Sequence, residues 1–108
     1  MTRRRQKGAS AVRGEDFPTL REFFSGYLHQ DFVAVHGTVA AAANAFVADA
    51  NPHERATLVR ELRAFVAATN TLPTARVGTV VSRELGGAWQ PASREELAAL
   101  LTVLTPPD

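Results

Sequence analysis

The chain has 108 residues, 45% of them apolar, with no cysteine and a formal net charge of +1. This length provides one domain with a modest core, and the lack of cysteine excludes disulfides, zinc–thiolate sites and cysteine nucleophiles. No segment has the ~20 consecutive apolar residues of a transmembrane helix, and the basic start lacks the apolar stretch of a secretory signal, so we expect a cytoplasmic protein.

The positive charge is concentrated at the N-terminus. Residues 1–16 contain five basic and two acidic residues (a sum of +3), whereas residues 17–108 contain seven arginines and nine acidic residues (a sum of −2). Residues 1–16 also have almost no large apolar side chain, which predicts a disordered basic tail followed by a helical domain over residues 17–105. Such a tail fits either a solvated start region or contact with nucleic acid or an acidic surface.

Apolar residues then recur at steps of three and four, which is the spacing of amphipathic helices. Pro18 begins the first such segment, and Thr38 is a plausible N-cap for the second. Residues 51–54 (Asn-Pro-His-Glu) begin the third segment with a capping-box pattern. The apolar positions of these three segments include Leu20, Phe23, Phe24, Val39, Ala42, Ala43, Phe46, Leu58, Leu62 and Phe65.

Two further helical segments complete the pattern. The fourth opens near Pro73 and stops at Gly86-Gly87, and its Gly78 and three valines predict a distorted helix. The last opens with the capping-box pattern of residues 93–96 and carries four leucines on one face. The sequence therefore predicts an all-α, single-domain, compact bundle of about five short helices.

A cluster of aromatic and polar residues, Tyr-Leu-His-Gln-Asp-Phe at positions 27–32, closes the first segment. One interpretation is structural: Tyr27 and Phe32 anchor the helix in the core and Asp31 caps a following turn. His29 then lies near a helix C-terminus, where its cation is favoured. The other interpretation is a recognition edge, since aromatic and short polar side chains supply binding hot spots at protein interfaces.

Motifs for catalysis and metal binding are incomplete. Gly86-Gly87 lacks the lysine of a phosphate-binding loop, and no serine sits in a strand-to-helix elbow. His53-Glu54 begins like a zinc-protease motif, but Thr57 occupies the position of the second histidine. No two of the three histidines are one helical turn apart, and the carboxylates of Glu95-Glu96 do not face each other. We predict no enzyme activity, no cofactor and no metal site.

A longer stretch around the Tyr27–Phe32 cluster resembles a known signature. Residues 20–32 read LREFFSGYLHQDF, and a family of bacterial contact-dependent growth inhibition immunity proteins commonly shows an aromatic-x-Gly-Tyr-x-His-Gln-Asp-aromatic stretch near its N-terminus. The resemblance continues through residues 46–62 and the Gly-Gly-Ala-Trp-Gln-Pro loop at 86–91, and it spans roughly residues 17–104. Phe32 stands where family members often have tryptophan, and residues 70–83 fit the pattern poorly.

The resemblance implies a protein that binds the toxic C-terminal domain of a cognate effector in the cytoplasm. Neutralisation would then be stoichiometric, without catalysis or a cofactor. As a hypothesis, the partner-binding residues are His29, Gln30, Asp31, Asp49 and Glu54. A structural role is expected for Phe24, Tyr27, Phe32 and Trp89.

Two functions of other classes remain compatible with the sequence. A nucleic-acid-binding regulator would use the Arg3-Arg4-Arg5 arm, although no helix carries a basic face: Arg60 and Arg63, for example, are interrupted by Glu61. A self-associating adaptor or homodimer would use the small residues at 40–45, which allow two helices to pack closely.

Overall fold

A computed structural model describes residues 12–91 and 93–106 of the chain. Its six helices are α1 (Pro18–Tyr27), α2 (Phe32–His36), α3 (Val39–Asp49), α4 (Pro52–Ala68), α5 (Thr74–Val80) and α6 (Arg94–Leu104). A 3-10 turn at Gly14–Asp16 precedes α1, and a π-helical turn at Val81–Leu85 follows α5. These described ranges contain no strand, and the prediction of an all-α domain is confirmed. Of the tail predicted for residues 1–16, residues 1–11 lie outside these ranges.

Three helices begin where the capping patterns place them. The Thr38 side chain accepts a hydrogen bond from the Ala41 N–H at 3.0 Å, at the start of α3. Asn51 and Glu54 form a reciprocal capping box on α4, with distances of 2.8 and 3.0 Å. The Ser93 hydroxyl accepts from the backbone N–H of the third residue of α6 at 3.3 Å. Each bond satisfies a backbone donor that the first helical turn leaves without a partner.

Side chains from distant parts of the chain cap three further helix ends. The Glu61 carboxylate, on α4, accepts from the Leu20 N–H of α1 at 2.9 Å. Arg55 donates its Nε–H to the Leu104 carbonyl at the end of α6, with a separation of 2.7 Å. Arg94 donates to the Thr69 carbonyl at 3.1 Å, just after α4. Because these partners are 25 to 49 residues apart, local patterns do not reveal them.

The hydrophobic core surrounds α1, which contacts α3, α4 and the π-helical turn, while α6 closes the bundle against α3 and α4. Phe23 is buried and packs edge-on against Phe24 and Phe46, with ring centroids 5.6 and 5.4 Å apart. The other fully buried large side chains include Leu20, Leu28, Leu58, Leu62, Phe65, Val81, Leu85 and Leu104. Most of these residues belong to the apolar spacing seen in the sequence.

The packed body begins earlier than the predicted boundary at residue 17. Gly14 is buried, and its N–H donates to the Glu84 carboxylate at 2.9 Å. A Cβ atom at Gly14 would lie 1.9 Å from the Glu84 backbone oxygen, so this close approach requires glycine. Apolar spacing does not predict this contact, because it joins the backbone of a glycine to the side chain and backbone of Glu84. Val12 also packs on the core.

The segment after Pro73 is a distorted helix, in agreement with its glycine and valines. It is helical as α5, then widens into the π-helical turn, and ends at Gly86 in a left-handed conformation with φ of 70°. Val77, Val81 and Leu85 are buried along it, so the apolar spacing is preserved through the distortion.

Helix α2 was not among the predicted elements. It has only five residues, too few to show a helical period, and none of them is buried. It ends at Gly37, whose φ of 89° favours glycine and whose N–H donates to the carbonyls of Phe32 and Val33.

Candidate functional site

The turn between α1 and α2 carries three of the predicted partner-binding residues. The Leu28 carbonyl at the end of α1 accepts from the Ala88 N–H at 2.8 Å, which fixes where the turn starts. Inside the turn, His29 Nδ1 accepts from the Asp31 N–H at 3.0 Å. Asp31 occupies the N-cap position of α2, but its side chain makes no capping hydrogen bond. Gln30 and Asp31 are exposed, and His29 is half-buried.

The aromatic residues of the same motif lie on the core side. Phe24 is fully buried and contacts Trp89 at a centroid distance of 6.2 Å. Tyr27 and Phe32 are half-buried and pack against the core cluster. The motif is therefore divided into an aromatic part that packs and a polar part that faces solvent.

The other two predicted residues, Asp49 and Glu54, lie in a second feature that we call the acidic cleft. Its polar lining comprises Thr19, Glu22, Tyr27, Asp49 and Glu54, and its apolar lining comprises Phe23, Phe46 and Ala50. The Tyr27 hydroxyl donates to Asp49 Oδ2 at 2.9 Å. No arginine or lysine lines this cleft. Across residues 12–91 and 93–106 the ion pair observed is Arg13–Glu15, which lies elsewhere.

Tyr27 links the acidic cleft to the turn. It is the last residue of α1, so the turn starts directly after it, and its ring stacks on His36 of α2 at a centroid distance of 6.0 Å. His29, Gln30 and Asp31 are not part of the cleft lining. The structure thus brings Asp49 and Glu54 together around Tyr27 and leaves the other three residues in the adjoining turn.

Sequence reasoning missed two parts of this surface. Glu22 was assigned no role, although it lines the acidic cleft. Val33 and Val35 of α2 are 62% and 63% exposed, unusual for large apolar side chains. The sequence did indicate the acidic part of this surface, because residues 22–54 contain four carboxylates and neither lysine nor arginine.

Comparison with known families matches this chain to one of them. The sequence model described as "CdiI immunity protein" matches residues 16–102. The chain belongs to the CdiI immunity protein family. The match includes α1 to α5, most of α6, the turn and the acidic cleft, and it confirms the family that the residue 20–32 signature indicated. No match was found among curated proteins or among solved structures.

The acidic cleft of this CdiI family member perturbs its tyrosine. Burial raises the pKa of the Tyr27 phenol above its usual value of about 10, and the hydrogen bond to Asp49 raises it further. The negative charges of Asp49 and Glu54 act in the same direction, because a phenolate beside carboxylates is electrostatically unfavourable. The phenol therefore stays protonated and able to donate throughout the physiological pH range.

Replacing Asp49 by asparagine is expected to lower the Tyr27 pKa without returning it to the usual value, because burial is the largest cause of the shift. Tyr27 is the single tyrosine of the chain, so an absorbance titration of tyrosinate reports on it alone. Because the folded-state pKa exceeds the unfolded one, the phenol's stabilising contribution is present below pH ~10 and is lost as the pH rises through the folded value. A Tyr27 pKa that is the same in Asp49→Asn as in the unmodified protein would contradict the hydrogen bond between Tyr27 and Asp49.

Two kinds of site are not found in the described residues. No group of three or more histidine and acidic side chains there is arranged to hold a metal ion. Nor does any helix of that part combine the length and apolar character that crossing a bilayer requires.

Proposed function

We propose that this protein binds the toxic C-terminal domain of a cognate effector in the cytoplasm and neutralises it one to one, without catalysis. The observation that carries the proposal is membership of the CdiI immunity protein family over residues 16–102. An inhibitor of this kind acts by occupying a surface that the toxin needs, so it requires a rigid body and an accessible face but no reactive group.

The divided motif supports placing the interface at the α1–α2 turn. Core packing explains why Phe24 belongs to the motif, because its ring is fully buried, but it does not explain why the motif contains Gln30 and Asp31. Their side chains are exposed and make no hydrogen bond within residues 12–91 and 93–106, so they are available to a partner. His29 has a partly structural role because it accepts the Asp31 N–H.

The charge distribution supports a basic partner surface. Residues 22–54 have a net charge of −4 with histidines neutral, from Glu22, Asp31, Asp49 and Glu54. These residues supply the polar edge of the acidic cleft and the exposed acid of the turn. Complementary charge mainly accelerates association and disfavours wrong partners, so a toxin domain with lysine and arginine on its facing surface fits best.

Alanine at His29, Gln30 and Asp31 together is expected to weaken binding to the cognate toxin domain about 30-fold, because the turn loses its polar contacts. Isothermal titration calorimetry measures the affinity, and circular dichroism measures helix content. The matched control is alanine at Asn70, Thr71 and Ser82, three exposed polar residues outside the turn and cleft. That control is expected to bind like the unmodified protein.

A second variant separates binding from folding. Gln30→Ala/Asp31→Ala keeps the His29 acceptor, so the hydrogen bond inside the turn is retained. We expect this variant to keep full helix content and still bind at least fivefold more weakly, a loss of about 1 kcal/mol. If the triple variant loses helicity and the double variant binds normally, the motif is structural and this site assignment is wrong.

A further inference from the structure

Helix α2 presents an apolar surface that nothing in the described chain covers. Val33 and Val35 are 62% and 63% exposed, and they are the exposed large apolar residues of the described chain. Ala34 between them is exposed as well. Val33 and Val35 are two positions apart and lie on either side of Ala34, so these three side chains together make the solvent side of α2 apolar, whereas Phe32 packs on the core. Single apolar side chains on a protein surface are ordinary, but a run of them that covers the solvent side of a helix is typical of a contact surface.

The fold does not depend on these two valines. Five residues are too few for a helix that is stable alone, so other contacts must hold α2 in place. Phe32 packs on the core, Tyr27 stacks on His36, and the Gly37 N–H closes the last turn. The exposed valines are therefore available for a partner at no cost to the core.

One acidic residue adjoins α2, and the acidic cleft lies on the other side of Tyr27 from this helix. Asp31 directly precedes α2, and Tyr27 connects α2 to the acidic cleft through its stacking on His36 and its hydrogen bond to Asp49. No lysine or arginine occurs between Arg21 and Arg55. An apolar centre with a charged rim is the usual organisation of a protein–protein interface.

We propose that Val33 and Val35 form the apolar centre of the toxin-binding surface, with Asp31, Asp49 and Glu54 as its acidic rim. The toxin domain would present a matching apolar patch bordered by lysine or arginine. This inference rests on the proposed function, because the occupant of α2 is the toxin domain itself. The contact extends the interface from the polar turn onto the helix that follows it.

The test is Val33→Ser/Val35→Ser in the full chain, titrated with the purified C-terminal domain of the cognate effector. We expect binding to weaken at least tenfold, with helix content and thermal midpoint unchanged, because both side chains are exposed in the free protein. The matched control is Ala64→Ser/Ala68→Ser, a similar change at two exposed positions one turn apart on α4. The control should leave the affinity unchanged.

A charge variant tests the rim. Asp31→Asn/Asp49→Asn/Glu54→Gln removes three charges but keeps hydrogen-bonding side chains, including an acceptor for Tyr27 and a capping residue for α4. We expect slower association and a weaker dependence of the association rate on salt, because attraction between exposed charges is screened. An association rate equal to that of the unmodified protein would contradict the proposal that these three acidic residues border the toxin-binding surface.

The outcomes distinguish this inference from the function on which it rests. If the unmodified protein does not bind the toxin domain, the proposed function fails and the inference fails with it. If the unmodified protein binds and Val33→Ser/Val35→Ser binds equally well, the inference alone is overturned. If the serine variant changes the mass of the protein in solution but not its affinity for the toxin, α2 contacts a second copy, which also overturns it.

Discussion

Phe24→Ala is expected to lower the free energy of unfolding by about 3–5 kcal/mol, the largest single effect that we predict. The ring is fully buried, packs edge-on against Phe23 and contacts Trp89. Removing it leaves a cavity where α1 meets the Gly-Gly-Ala-Trp-Gln-Pro segment at residues 86–91, which we call the glycine loop. The surrounding helices can close that cavity only in part. The loss is a large fraction of the 5–15 kcal/mol typical of a folded domain.

Urea denaturation followed by circular dichroism measures this change. Phe24→Leu keeps most of the volume and is expected to cost only about 1–1.5 kcal/mol, so it remains measurable if the alanine variant does not fold. Phe32→Ala is the matched control, because Phe32 is half-buried and should cost less than half as much. A Phe24→Ala effect no greater than that of Phe32→Ala would contradict the packing described above.

The second large effect is expected at Gly87. A Cβ atom there would lie 2.7 Å from Phe24 Cδ2 and 3.3 Å from Val81 Cγ1, and both side chains are fully buried. Neither neighbour can move without disturbing the core, so Gly87→Ala should cost about 2–3 kcal/mol through overpacking. The backbone φ of Gly87 is not positive, so the cost arises from contact and not from backbone strain.

Gly26→Ala provides the control for Gly87→Ala. A Cβ atom at Gly26 meets nothing within 4 Å, and the residue lies within α1. Alanine is favoured over glycine in a helix, so this variant should be more stable by about 0.5–1 kcal/mol. Opposite signs at the two glycines are the expected result in urea denaturation, and equal effects would show that the glycine loop does not press on Phe24.

The Gly87 variant should also affect the candidate site. Its neighbour Ala88 donates its N–H to the Leu28 carbonyl, which fixes the start of the α1–α2 turn. Displacing the glycine loop would disturb that bond and with it the placement of His29, Gln30 and Asp31. We therefore expect weaker toxin binding in Gly87→Ala and unchanged binding in Gly26→Ala.

Local sequence patterns predicted the parts of the fold that depend on local physics. The caps at Thr38, Asn51 and Ser93 and the apolar spacing of the five longer segments each need only neighbouring residues. The features that were missed depend on distant contacts. Gly14 packs against the backbone of Glu84, 70 residues away, and Glu61 caps a helix 41 residues before it. Helix α2 was missed because it is shorter than two helical turns.

The candidate site could be predicted only in part for the same reason. The motif identified His29, Gln30 and Asp31 as a group, since they are consecutive. Asp49 was grouped with them as a hypothesis, and its contact with the Tyr27 hydroxyl depends on how α1 packs against α3. In the sequence, Val33 and Val35 look like core residues because they are apolar. Only their exposure in the folded chain distinguishes them from buried valines.

Calorimetric titration of the full chain with the effector's C-terminal domain addresses the toxin-neutralising role itself. We predict a saturable complex with one copy of each partner, together with restored growth of cells that express the toxin domain when this chain is expressed beside it. Absence of binding at micromolar concentrations, or protection that requires less than one copy of this chain per toxin molecule, would contradict stoichiometric neutralisation.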